Sequence, residues 1–220
     1  MALAAAILAL AGPLVEVVAI AGRAPWLDVV IEDFVPQLAA FGVGFGVLSW
    51  FALPRESGNR VVWVFLVVAV SAAAYCLTVA AIYWGLRMLD LPIEPGVVDT
   101  LRPEELPVPV ALLLVVRVIT VLPAIFGLMT VAVLLFPDGT LPSRRWRWVL
   151  WVSIASMVVW AGAFAVIQYP GSSRSLDDLQ LDLWVNIPLA ALVGASVASF
   201  AGLWIRFRRS VGVVRQQIRW

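Results

Sequence analysis

The chain has 220 residues, 63% of them hydrophobic and 13% charged, with a formal net charge of +1. Soluble domains hold about 45–50% apolar and about 25% charged residues, so a water-soluble globule is excluded once the apolar residues gather in blocks of about twenty. All fifteen basic residues are arginine, there is no histidine, and Cys76 is the single cysteine, which removes the commonest general base and metal ligand and any intrachain disulfide.

The first apolar block, about 2–22, has the greasiness of a signal peptide but no basic n-region, and it carries Glu16. A retained transmembrane helix is the expectation. The second block, about 35–53, contains Gly42 and Gly46 in a small-xxx-small pair, a face on which helix backbones approach closely. The run Gly42-Val43-Gly44-Phe45-Gly46 follows no strand and is not a nucleotide loop. The third block covers about 61–86. The fourth, about 108–136, carries Arg117 and also Pro109 and Pro123, which start or kink a helix. Blocks at about 147–168 and 184–205 complete the set, the last repeating the small spacing at Gly194, Ala198 and Gly202. The expected fold is all-α: a polytopic bundle of about six transmembrane helices over residues 1–205, followed by a basic amphipathic tail at 206–220.

Orientation follows from the arginines. Segments 54–60, 137–147 and 206–220 hold ten arginines and two acids, whereas 23–34, 87–107 and 169–183 hold four arginines and eleven acids. The positive-inside rule then puts both termini in the cytoplasm and the acidic loops outside. Those loops are solvated connectors or, on a sharper reading, a shallow cation- or peptide-binding rim, although no ordered ligand spacing accompanies their carboxylates. Most tryptophans lie near span ends, as in an interfacial aromatic belt.

Glu16 and Arg117 are the ionisable residues inside the spans. At about 1.5 Å per residue, they lie roughly 9 and 14 Å from the outer surface, close enough in depth to form an intramembrane charge pair. Pinning two helices is the plain role of such a pair; a ligand- or proton-responsive site is the sharper one.

In "LLFPDGTLPSRRWRWVLW", residues 134–151, Pro137-Asp138-Gly139 is a turn signal, since proline presets φ and glycine accepts φ above zero. Ser143 is placed to cap the fifth helix, whose first turn carries Arg144, Arg145 and Arg147. The expectation is a tight cytoplasmic hairpin with arginines at the lipid headgroups. In the tail, Phe207, Val211, Val214 and Ile218 form an apolar stripe.

The pair "LLFPDGTLPSRRWRWV" and "RRSVGVVRQQIRW" resembles the N-terminal multi-span membrane region of actinobacterial sensor histidine kinases. The matching residues are Leu135 to Trp146, and Gly212, Val213, Arg215, Gln216, Gln217 and Trp220; residues 1–133 are similar only in span pattern. Val214 stands where an acidic residue is common in that motif. The resemblance implies a sensory input region whose kinase core would follow. This chain has no phosphoacceptor histidine and no ATP-binding box, so it would be an input module or a truncated product without catalysis of its own.

Expected partners are the lipid bilayer, a second copy of the chain in a homodimer, and a downstream kinase core or response regulator; no cofactor, metal or nucleic acid is expected. A stand-alone membrane scaffold or assembly protein is the main alternative. A small transporter using Glu16 and Arg117 ranks below it, because internal repeats and mid-membrane polar residues are missing.

Overall fold

The computed structural model describes residues 1–21, 28–29, 31, 33–94, 97, 106–167 and 183–209. Among them the chain is all-helical, and six helices are long and apolar enough to cross a membrane. The helices are α1 (Ala2–Ile20), α2 (Val35–Ala52), α3 (Arg60–Met88), α4 (Val108–Phe126), α5 (Arg147–Ile167) and α6 (Leu183–Arg209). A π-helical segment, Gly127–Ala132, and a last turn, Val133–Leu135, prolong α4 into one span, Val108–Leu135. A 3-10 turn, Arg144–Trp146, leads into α5. The tail from residue 210 onward lies outside the described residues, including Gly212, Arg215, Gln216, Gln217 and Trp220, as do most acids of the segments 87–107 and 169–183.

Local chemistry sets the boundaries. Asn59 caps α3, its Oδ1 accepting from the Val61 amide at 3.0 Å, which satisfies one of the free donors of a first turn. α2 and α4 both begin with a proline in the first turn, where a missing N–H costs nothing. Pro123 lies inside α4, and the π-helical segment begins four residues later. Disturbing the regular hydrogen-bond ladder is the expected effect of a proline within a helix.

α1 to α4 form the inner bundle. Its core is built from buried Ile20, Leu38, Ile82 and Leu114 around Tyr75 and Tyr83. Small residues bring α1 against its neighbours: a Cβ on Gly42 would stand 2.5 Å from the Ala9 Cβ, and one on Gly46 would stand 3.0 Å from the Ala2 carbonyl oxygen. Gly12 is seated as closely on α3, where a Cβ would meet the Cys76 Cβ at 2.6 Å. α5 and α6 pack on each other and lean against α4 and its π-helical segment. The small-residue spacing of α6 does not act as one face: Gly194 looks onto open space, and only Gly202 makes a close approach, to the Trp146 ring.

Two ends can be told apart. Residues 54–60, the turn after α4 and the last turns of α6 meet at one, the arginine end. At the opposite, acidic end, Arg87 donates to the carbonyls of Val18 and Ala19 at 2.7 and 3.0 Å, satisfying the last carbonyls of α1. Asp33 sits at that end too, just before α2.

Candidate functional site

A buried polar cluster occupies the acidic end of the inner bundle. Asp33 is fully buried, and three side chains from two helices turn towards it. The Tyr83 hydroxyl donates to its Oδ2 at 2.5 Å. The Arg117 Nη2 approaches Oδ1 at 3.4 Å, as both hydrogen bond and ion pair. The Tyr75 hydroxyl donates to the Asp33 main-chain carbonyl at 2.7 Å and lies 3.4 Å from the Arg117 Nε. The guanidinium also stands 5.8 Å from the Tyr75 ring centroid, within cation–π range.

The charge pair expected between Glu16 and Arg117 is therefore corrected in its acid. Glu16 is 0% exposed, and neither carboxylate oxygen has a hydrogen-bond partner among the described residues. Helix geometry explains the exchange. Side chains lean towards the N-terminus of their own helix. α4 starts at the acidic end, so Arg117 reaches up towards Asp33; α1 runs the other way, so Glu16 leans deeper into the bundle. Glu16 still lies within electrostatic reach of both Asp33 and Arg117.

At the arginine end, the turn after α4 is held from two sides. Gly139 has φ of 71°, and its amide donates to the Leu135 carbonyl at 2.9 Å. The turn chemistry read from Pro137-Asp138-Gly139 is therefore present. From α3, the Asn59 Nδ2 donates to the Pro137 carbonyl at 3.0 Å. From α6, the Arg206 Nη1 donates to the Phe136 carbonyl at 2.6 Å, and its Nη2 donates to the Thr140 carbonyl. Ser143 does occupy the position before the 3-10 turn, but its hydroxyl makes no capping bond. The extended backbone at that residue, φ −162° and ψ 171°, accompanies a 3-10 rather than an α start. Arg144, Arg145 and Arg147 are exposed, and Trp146 folds back onto Gly202.

At the acidic end Asp33, Tyr75, Tyr83 and Arg117 bind one another, and at the other end Asp138 is exposed with no hydrogen-bond partner among the described residues. No group of three or more metal-ligating side chains is found among the described residues. The chain matches no family model, no curated protein and no solved structure.

Sequence reasoning missed Asp33, Tyr75 and Tyr83 because a connector acid and two tyrosines in an apolar run carry no local sign of one another. Asn59 was detectable: an asparagine one residue before an apolar run is a helix-start signal. Its second bond, to a residue 78 positions away, was not.

Proposed function

We propose that the chain is the membrane input region of a two-component-type sensor histidine kinase, multi-pass in the bacterial plasma membrane with both termini in the cytoplasm. The observation that carries this reading is the grip of Arg206 on Phe136 and Thr140. The turn whose sequence resembles those sensors is thereby tied to α6, the helix that leads into the resembling tail. Asn59 ties the same turn to the inner bundle. A shift between α1–α4 and the α5–α6 pair would have to strain or break these bonds. A stimulus at the acidic end that favours one packing over another could in this way reach the tail, provided it binds the two packings with different affinity.

A fusion tests this. The full chain joined to a characterised cytoplasmic kinase core should give membrane-dependent autophosphorylation whose basal level changes when Arg206→Ala or Asn59→Ala is introduced. Unaltered phosphorylation in both variants, with the protein folded and membrane-inserted, would overturn the sensor reading. A scaffold or assembly role is the second reading, favoured by α5, most of whose apolar surface is left uncovered by the other described residues. Homodimerisation through that face, detected by cross-linking in membranes without any effect on an attached kinase, would favour it.

A further inference from the structure

The described arginines from Arg55 to Arg206 divide into two groups. Arg55 donates to the Phe51 carbonyl, Arg87 to Val18 and Ala19, Arg117 to Asp33, and Arg206 to Phe136 and Thr140. Arg60, Arg144, Arg145 and Arg147 are exposed, and none of their guanidinium groups bonds to a described residue. These four open cations come from two separate connectors at the same end of the molecule.

Two open clefts meet there. One, of about 640 Å³, runs between Gly58 and Arg60 on one side and Thr140, Ser143, Arg144 and Arg147 on the other. The other, of about 610 Å³, shares Arg144 and Arg147 and continues past Arg145 to Trp148 and Trp151. Asp138 is the single acid that lines either cleft. A group that fits must be anionic, with oxygens for a fork of guanidinium donors.

The tryptophans decide what kind of anion. Trp148 is 75% exposed and Trp151 57%, one turn apart on the face where the arginines end. A free phosphate gains nothing from that apolar strip, whereas a molecule with a charged head and a hydrocarbon chain gains from both halves. We propose that the joined clefts seat one anionic glycerophospholipid, its phosphodiester between Arg144 and Arg147, its headgroup towards Arg60 and Thr140, and an acyl chain along Trp148 and Trp151. This seat is independent of the sensor reading and requires only that the chain is embedded in a bilayer.

The test is lipid retention by the purified full-length chain in neutral detergent. Phosphatidylglycerol should stay bound at about one molecule per chain through washing that removes phosphatidylcholine, as measured by native mass spectrometry. Arg144→Gln with Arg147→Gln should lower retention about thirtyfold, the factor that corresponds to removing two basic residues from an anionic surface. Arg55→Gln, at the same end but bonded within the chain, should leave retention unchanged. An equal loss in Arg55→Gln would mean diffuse attraction and would overturn the seat, as would displacement of the lipid by inorganic phosphate. If the double variant does not fold, the unaltered chain still answers: phosphatidylglycerol with brominated chains must quench tryptophan fluorescence more than brominated phosphatidylcholine. Equal quenching overturns the proposal.

Discussion

The Asn59 side chain bridges two connectors, giving its Nδ2 to the Pro137 carbonyl at 3.0 Å while its Oδ1 caps α3 at the Val61 amide. One amide thus starts a helix and fastens the turn between two others. Asn59→Ala removes these two bonds and a third, from Nδ2 to the Glu56 carboxylate at 3.2 Å, and should lower stability by about 1–2 kcal/mol, as loss of a cap does. Asn59→Ser keeps an acceptor for Val61 and loses the Nδ2 bonds without setting a carboxylate beside Glu56, so it should fall between the unaltered chain and Asn59→Ala. Thermal unfolding in detergent measures the order; a Ser variant as unstable as the Ala variant would show that the Nδ2 bonds to Pro137 and Glu56, not the cap, dominate.

Gly139 is the position at which this turn is least tolerant. Its φ is 71°, and a Cβ there would lie 2.6 Å from the Asn59 Oδ1 and 2.7 Å from the Arg60 amide nitrogen. Gly139→Ala should therefore cost about 1–3 kcal/mol from backbone strain and also push Asn59 out of its bonds. Gly194→Ala is the contrast. Nothing lies within 4 Å of a Cβ at Gly194, and replacing a helical glycine gains up to about 1 kcal/mol. Paired melting curves should move in opposite directions.

The buried ion pair of Asp33 and Arg117 makes a double-mutant prediction. Removing one partner leaves the other charged and buried, at a cost of about 3–5 kcal/mol. Asp33→Ala and Arg117→Ala should each destabilise strongly, and the double variant should cost far less than their sum. Glu16→Gln, which alters a carboxylate bonded to none of the described residues, should change stability by no more than about 1 kcal/mol. Additive losses for Asp33 and Arg117, or strong coupling of Arg117 to Glu16, would contradict the observed partnership.

The number and placing of the helices were legible in the sequence because each span is a continuous apolar run and each connector carries its own turn formers. Helix bounds moved by a few residues: α3 starts at Arg60, where Asn59 caps it, and runs to Met88, while α6 extends to Arg209 and takes in the first four residues of the expected tail. The close approaches of Gly42 and Gly46 were legible too. Partnerships across the bundle were not. Depth along the membrane placed Arg117 opposite Glu16, but depth ignores helix direction, and direction sends that guanidinium to Asp33. Likewise Arg206 reads as one of five tail arginines; only packing shows that it belongs to the turn at 136–140.

Alternation of the helices leads to the last prediction. Gly58 and Thr140 share the arginine end, whereas Leu91 lies just beyond α3 at the acidic end. Cys76 is completely buried, so it should resist thiol reagents in intact membranes, and its substitution by serine gives a clean background for single-cysteine labelling. Gly58→Cys is well suited, because nothing lies within 4 Å of its Cβ position. With the arginine-rich connectors inside, a membrane-impermeant maleimide applied to whole cells should label Leu91→Cys and spare Gly58→Cys and Thr140→Cys. Inverted vesicles should give the opposite pattern. Labelling of Gly58→Cys and Leu91→Cys from the same side would refute the alternation itself, and labelling of Gly58→Cys from outside would invert the orientation. In that second case the arginine clefts would face the outer leaflet, and Arg206 would no longer lead into the cytoplasm.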